Sequence, residues 1–263
     1  MRSSQLMRLV AAGAALCAAP AALAQAQAQT SGEWSAGAGI EYTSGDYGTS
    51  TTTKILAIPF LLRYDTEPWT VKFSLPLYRI SGARSVVPGF GAVDRGNSRR
   101  RDTTETGLGD LTTTFTHHTY YDRASEFGFD LTGKLKLPTG EEDKGLSTGS
   151  TDLTFMFEPY KRFGRLTAFG GLGFTSMFGG YLDLRNTFNY AIGASHKLDQ
   201  GDSLALAIEG RTAPARGVPA QRELIGSWSR VVDKRLRVQA YGLIGLANGS
   251  PDWGIGGSLL HAF

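Results

Sequence analysis

The sequence has only one cysteine, Cys17, and after position 24 it has no apolar run of about 20 residues. Because a disulfide needs two thiols, the single cysteine excludes a disulfide framework, and it also excludes a cysteine-ligated metal site. The lack of a long apolar run excludes a helical membrane protein, since every membrane-spanning helix needs such a run. Charged residues are few as well, at 19%, whereas glycine is abundant, with 34 residues. Such a chain must place its apolar residues in shorter segments.

The positive and negative charges of the chain nearly cancel. There are 27 Lys and Arg against 24 Asp and Glu, and two of these cations, Arg2 and Arg8, fall in a segment that we predict to be removed. Without them, 25 cations face 24 acids, which leaves a net charge of +1. No nucleic-acid partner is therefore expected.

The first 24 residues have the three parts of a secretory signal. A basic start is followed by an apolar stretch at 9–16 and by an A-x-A cleavage site at 22–24. Pro20 argues against the alternative, a buried N-terminal helix. We therefore expect a cleaved signal peptide at 1–24, a flexible leader at 25–32 and a single domain at 33–263.

From residue 33 onward, apolar and polar residues alternate in about twelve segments of about 10 to 13 residues. In the last segment, Trp253 to Phe263, most side chains on one face are large and apolar, and most on the other are small. Short turns alternate with longer loops along the chain. The short turns lie near 65–68, 122–125, 163–165, 199–202 and 233–235. In an antiparallel barrel every short turn then falls at one end and every longer loop at the other, as in outer-membrane barrels.

Aromatic residues cluster at the ends of these segments. Trp34, Tyr64, Trp69, Phe127 and Phe263 fall at the short-turn end, and Tyr42, Phe178 and Trp253 fall at the loop end. Two aromatic belts are typical of the two membrane interfaces. The alternative, a soluble β-sandwich or a lipocalin-like barrel, would bury its large residues inward and leaves these belts unexplained. The sequence therefore predicts an all-β fold, a transmembrane antiparallel up-and-down β-barrel of about 12 strands, in the outer membrane of a Gram-negative bacterium.

The chain ends on an aromatic residue, Phe263, with the apolar Leu259 four residues before it. This ending resembles the terminal assembly signal of bacterial outer-membrane β-barrels, which implies the outer-membrane assembly machinery as a partner. The lipid bilayer and lipopolysaccharide are the other expected surroundings, and we expect a monomer.

Charged residues fall on the strand face opposite to the apolar face. Because we expect the apolar face to contact lipid, the charged residues point to the interior of the barrel. We expect them to line the lumen, paired or in contact with water, because an unpaired charge is costly to bury. The candidates are Arg63, Lys72, Asp130, Lys134, Glu158, Glu209 and Arg211. Eight strands give a filled barrel and sixteen give an open channel, so about twelve predict a narrow or partly plugged passage.

Three inward charges are expected to meet. Asp110 opens the fourth segment, Lys136 closes the fifth and Asp152 opens the sixth. On antiparallel neighbours these positions lie at one height, which predicts an Asp/Lys/Asp cluster near the outer mouth. The cluster has two interpretations: ion pairs that fix the strand register, or a constriction that selects or orients a solute.

Three sequence motifs surround this cluster. They are G-L-G-D-L-T at 107–112, K-L-P-T-G at 136–140 and S-T-G-S-T-D-L at 147–153. Together they resemble the outer-membrane barrel family that is named for the meta-cleavage pathway of phenol degradation. The resemblance implies a twelve-strand type of barrel and the passage of hydrophobic or aromatic compounds.

The longest predicted connection, 81–106, is polar and glycine-rich and contains a basic run. The run consists of Arg99, Arg100 and Arg101. It has two interpretations, since such a run either binds lipopolysaccharide phosphates or is simply solvated.

Enzymatic chemistry would require a nucleophile beside a base. His117, His118 and His196 fall toward the short-turn ends of their segments, and none has a serine at a matching height. Neighbouring positions on a strand point to opposite faces, so His117 and His118 cannot bind the same metal ion. We therefore expect no catalytic residue, no metal and no cofactor.

These patterns indicate a pore or facilitator for the passive uptake of small solutes, with hydrophobic or aromatic compounds as candidates. The alternative is a closed structural or partner-binding barrel that acts through its outer loops.

Overall fold

The computed structural model describes residues 32–93, 103–180, 182–198 and 201–263. The barrel strands are β1 (Glu33–Gly45), β2 (Thr53–Asp65), β3 (Trp69–Gly82), β6 (Thr103–Leu108) with β7 (Leu111–Asp122), β8 (Phe127–Leu137), β9 (Thr151–Phe163), β10 (Leu166–Phe178), β11 (Thr187–Lys197), β12 (Asp202–Arg211), β13 (Gln221–Val231), β14 (Leu236–Gly245) and β15 (Trp253–Ala262). Two short strands, β4 (Val86–Val87) and β5 (Gly91–Ala92), form a hairpin between β3 and β6. Among the described residues, no helix is long and apolar enough to span a membrane.

The strands close into a barrel. Each pairs antiparallel with its neighbour in the sequence, and β1 also pairs with β15, which joins the two ends of the sheet. Strands β6 and β7 together form one position in the ring, because both pair with β3. The predicted all-β, antiparallel, twelve-stranded barrel is therefore confirmed.

Alternation along the strands decides which side chains face outward. On β9, Phe155 is 63% exposed whereas Glu158 on the opposite face is 5% exposed. On β11, Ile192 is 66% exposed and its neighbour Ala191 is 5% exposed. In a water-soluble protein this pattern would be inverted, so the apolar exterior fits a lipid environment.

Aromatic contacts lie at both ends of the barrel. At the short-turn end the rings of Trp34 and Tyr64 are 4.8 Å apart, and at the loop end those of Tyr42 and Trp253 are 5.5 Å apart. The main-chain N–H of Phe263 donates to the carbonyl of Trp34 at 2.9 Å, which ties the last residue to the first strand.

The fourth strand and the connection before it differ from the prediction. Strand β3 continues to Gly82 and β6 already begins at Thr103, so the connection is shorter than the predicted 81–106. The fourth strand is interrupted between Leu108 and Leu111. At this break the N–H of Gly109 still donates to the carbonyl of Pro76 on β3, at 2.8 Å, so the wall stays connected.

Candidate functional site

The β4–β5 hairpin folds inward at the loop end of the barrel, the predicted outer mouth. Its tip is a type II turn: Pro88 follows Val87, Gly89 has φ +69°, and the N–H of Phe90 donates to the carbonyl of Val87 at 3.0 Å. This turn type needs a positive φ at its third residue, which glycine adopts without strain. The segment was predicted to be polar, but its apolar residues are buried.

The hairpin contacts apolar side chains on two sides of the mouth. On one side, Val86 is buried with Ile55 on β2 and Ile80 on β3. On the other, Val87, Phe90 and Val93 pack with residues near the ends of β10 to β13; these are Met177, Leu182, Leu184, Ala215 and Val218. The hairpin therefore spans the outer mouth and narrows it.

Arg211 attaches the hairpin to strand β12. Its Nη2 donates to the carbonyls of Gly89, at 3.2 Å, and Phe90, at 2.9 Å. The guanidinium also lies over the ring of Phe90, 4.7 Å from the ring centre. A cation on an aromatic face adds to these hydrogen bonds.

A cavity of about 230 Å³ lies in the barrel below the hairpin. Apolar and aromatic side chains form much of its wall; they include Tyr47, Ile55, Leu61, Tyr78, Phe90, Met156, Met177, Ile225, Tyr241 and Leu243. Tyr47 comes from the loop after β1, where its hydroxyl donates to Thr43 at 2.7 Å. Burial raises the pKa of Tyr47, so this phenol stays neutral. The cavity can hold a small, largely apolar solute.

Charged side chains of both signs also line the cavity. On one side, Lys72 on β3 and Lys134 on β8 lie among acids, one of which, Glu158 on β9, accepts a hydrogen bond from Thr132. On the other side, the three acids Glu41 on β1, Glu209 on β12 and Glu223 on β13 lie with one cation, Arg211, among the described lining residues.

The structure brings Asp110, Lys136 and Asp152 together on the cavity wall. The ammonium nitrogen of Lys136 lies 3.1 Å from Oδ2 of Asp110 and 3.0 Å from Oδ2 of Asp152. It also donates to the hydroxyl of Thr148 at 2.7 Å. Three partners therefore surround this one cation.

The three sequence motifs interlock around the Lys136 cluster. From the second motif, the hydroxyl of Thr139 accepts the N–H of Leu111 at 2.8 Å, and the N–H of Gly140 donates to Asp110 at 3.0 Å. From the third motif, Ser150 donates to Asp152 at 2.7 Å. These contacts hold the break in the fourth strand against the ends of β8 and β9.

Deeper in the lumen, toward the short turns, aromatic side chains fill the barrel. Tyr160, Phe169 and Ala207 form a buried cluster, and Tyr121 stacks on Tyr160 with ring centres 6.3 Å apart. The guanidinium of Arg162 lies 5.2 Å from the ring centre of Tyr121. This region narrows the lumen below the cavity.

The predicted lumen residues therefore divide into two levels. Lys72, Lys134, Glu158, Glu209 and Arg211 line the cavity, as do the three residues of the Lys136 cluster. Arg63 and Asp130 are buried but do not line it. Arg63 pairs with Asp65 at 2.6 Å, and Asp130 pairs with His118 at 3.2 Å.

Some residues of the site were not predicted. Tyr78 and Tyr241 lie on the inward face of their strands, so the alternation of side chains along a strand would have predicted them. Phe90 and Tyr47 come from loops, where no such alternation predicts the direction of a side chain. Arg99, Arg100 and Arg101 lie outside the described residues.

Solved structures of outer-membrane proteins resemble this barrel. An outer membrane channel from Pseudomonas putida F1 superimposes with a TM-score of 0.66 at 13% identity, over 92% of this chain and 99% of that chain. The CymD monoaromatic hydrocarbon channel gives a TM-score of 0.45 at 10% identity, over 88% of each chain. The KdgM porin in complex with disordered oligogalacturonate gives 0.45 at 9% identity, over 86% of this chain and 99% of that chain. No family model and no curated protein matches the sequence. At 13% identity, the likeness to the first of these structures shows the fold alone.

Proposed function

We propose that the protein is an outer-membrane pore or facilitator for the passive uptake of small solutes, with hydrophobic or aromatic compounds as its substrates. The observation that carries this proposal is the cavity of about 230 Å³ inside the barrel, lined largely by apolar and aromatic side chains. Pockets for drug-sized ligands typically measure about 300–1,000 Å³, so the cavity favours a solute below that size.

The hairpin supports the same function. It restricts the entry of solutes into the cavity, but it is not part of the barrel wall. Its described contacts with the wall are apolar packing and the hydrogen bonds from Arg211. Such contacts can break while the strand ladder stays intact, since loop openings cost far less than global unfolding. A solute would enter when the hairpin moves aside, and its own concentration gradient would drive the passage.

The experiment that tests this function combines planar bilayers with liposome swelling. The purified protein is expected to give discrete current steps in the bilayer. In swelling assays, phenolic compounds should enter liposomes faster than sugars of similar size. Equal rates for phenols and sugars would overturn the proposed substrate class, and a protein that passes neither current nor solute would not be a pore.

A second candidate function is a closed barrel that binds a partner through its outer loops. The observation that favours it is the buried state of the hairpin, in which Val86 and Val87 are 1% and 2% exposed. A closed barrel passes no current under any condition, so the bilayer measurement separates the two candidates.

A further inference from the structure

Two carboxylates face each other directly across neighbouring strands. Glu209 on β12 and Glu223 on β13 are paired in the strand register, and both line the cavity. Like charges that lie directly opposite each other in an antiparallel pair destabilise it. The fold therefore tolerates an unfavourable arrangement at this position.

The surrounding chain does not satisfy Glu209. This side chain is 3% exposed, and its Oε1 has no hydrogen-bond partner in the described part of the chain. The nearby cation on the same strand, Arg211, donates instead to the carbonyls of the hairpin. Lys134 attracts Glu209 electrostatically, yet Oε1 stays without a donor among the described residues. A buried carboxylate oxygen without a donor is costly, so a cationic group from outside the chain would be stabilised beside Glu209.

Lys72 lies on the opposite wall of the same cavity. Five strands separate β3 from β12 in either direction around the ring, so the two residues belong to opposite sides of the barrel. Across residues 32–93, 103–180, 182–198 and 201–263, Lys72 has no ion pair or hydrogen bond. Lys134 and Arg63 repel its ammonium, and Glu158 attracts it from beyond ion-pair distance. An anionic group would therefore be stabilised beside Lys72.

The wall between these charges is largely apolar. Tyr78, Ile225, Tyr241 and Leu243 line the cavity together with Glu209 and Lys72. A solute that reaches both charges must place its middle part against these side chains. Its body is therefore apolar, and a planar ring suits the aromatic neighbours.

We propose that the cavity selects small zwitterionic solutes whose two charges lie at opposite ends of an apolar body, the chemistry of an aromatic ring with an aminomethyl group at one end and a carboxylate at the other: Glu209 and Glu223 bind the ammonium group and Lys72 binds the carboxylate. This inference rests on the proposed function, because it names the substrate class of the same cavity. A solute with both charges neutralises both walls at once, whereas an uncharged aromatic compound leaves both unsatisfied.

Calorimetric titration of the folded protein in detergent tests the inference with four probes that share one ring. The probes are 4-(aminomethyl)benzoate, 4-methylbenzylamine, 4-methylbenzoate and 4-methylbenzyl alcohol, which carry both charges, the cation only, the anion only and neither. 4-(Aminomethyl)benzoate should bind at least about tenfold more tightly than 4-methylbenzyl alcohol, because each of its charged ends gains a hydrogen bond to a group of opposite charge.

Two variants assign the two ends of the solute. Glu209→Gln should weaken the binding of 4-(aminomethyl)benzoate and 4-methylbenzylamine by about tenfold and leave that of 4-methylbenzoate unchanged. Lys72→Met should weaken the binding of 4-(aminomethyl)benzoate and 4-methylbenzoate and leave that of 4-methylbenzylamine unchanged. Glu223→Gln provides a second test of the acidic wall if Glu209→Gln does not fold. Glu67→Gln and Lys234→Met, which change exposed turn residues, are the matched controls and should bind like the wild type.

If the wild type binds all four probes alike, or if the variants weaken all of them equally, the zwitterion site does not exist. If the charge pattern appears in titration but the wild type passes no current in planar bilayers, the site stands and the pore is refuted. If current flows but binding ignores charge, only this inference fails.

Discussion

Arg211 on β12 and Phe90 in the β4–β5 hairpin are 121 residues apart in the sequence, yet Nη2 of Arg211 lies 2.9 Å from the carbonyl oxygen of Phe90. The contact joins the barrel wall to the segment that narrows the outer mouth. Arg211 points into the lumen from a barrel strand. The hairpin is connected to the wall through β3, and Arg211 holds it from the opposite side. The hairpin should therefore respond to the loss of this one side chain.

The first prediction concerns the opening of the mouth. Arg211→Ala removes two hydrogen bonds from a charged donor and one cation–π contact, which weakens the attachment of the hairpin by about 3 kcal/mol. Single-channel recording in planar bilayers should show a larger mean conductance and more open time. Arg222→Ala is the control: Arg222 lies near the same end of the neighbouring strand, but its side chain is exposed and donates to Tyr190 at 2.9 Å. Equal conductance in the two variants would show that the hairpin does not limit the current.

The second prediction concerns the Lys136 cluster. Lys136→Met leaves Asp110 and Asp152, whose side chains are 10% and 14% exposed, without their shared cation. Breaking such a pair should lower the free energy of unfolding by about 3 kcal/mol, measured by urea unfolding of the folded protein in detergent. The triple variant with Asp110→Asn, Lys136→Met and Asp152→Asn should recover most of this loss, because no uncompensated charge remains.

The same variants separate the two interpretations of the cluster. If it only fixes the register, the triple variant keeps the anion-to-cation permeability ratio of the wild type. If it forms a constriction for solutes, this ratio changes even though the stability has recovered. Reversal potentials in a salt gradient across a planar bilayer measure the ratio.

The third prediction concerns the close approach of two chain segments at the break in the fourth strand. A Cβ atom at Gly140 would lie 2.9 Å from the carbonyl carbon of Gly109 and 3.0 Å from its Cα. Gly140→Ala must therefore push backbone against backbone and should destabilise the barrel by about 1–3 kcal/mol. Gly133→Ala on β8 is the matched control, since a Cβ there meets nothing within 4 Å. It should be neutral or slightly stabilising in the same urea experiment, and an equal loss in both variants would contradict the close contact.

The strand part of this fold is predictable because the direction of a side chain in a strand depends only on its parity. Phe155 and Glu158 therefore fall on the expected faces, and the inward parity of Asp110, Lys136 and Asp152 anticipates where the structure places them. The hairpin is different. Val87, Pro88 and Gly89 carry the signal for a tight turn, but a turn signal does not say whether a loop folds into the barrel or away from it. That choice rests on contacts between distant parts of the chain, such as Phe90 with Arg211 and Val86 with Ile55, for which the sequence has no local signal.

The fourth prediction tests which face of the barrel meets the lipid. Ile192 lies in the middle of β11 and is 66% exposed, whereas Leu198 follows the end of the same strand and is 41% exposed. The cost of an arginine on the lipid face is about 2–4 kcal/mol at the bilayer midplane and about 0–1 kcal/mol near the interface. Ile192→Arg should therefore lower the free energy of unfolding from lipid vesicles by about 2–4 kcal/mol, and Leu198→Arg should change it little.

Both variants add the same charge to the outward face, Ile192→Arg within β11 and Leu198→Arg just past its end. On a solvent-exposed face the two substitutions would change the free energy of unfolding alike, since both side chains would stay in water. A depth-dependent cost arises only if the middle of the strand lies in hydrocarbon and its end lies at the interface. Equal stability of Ile192→Arg and Leu198→Arg in vesicles would thus contradict the transmembrane orientation. The lining of the interior by charged side chains would then need another explanation.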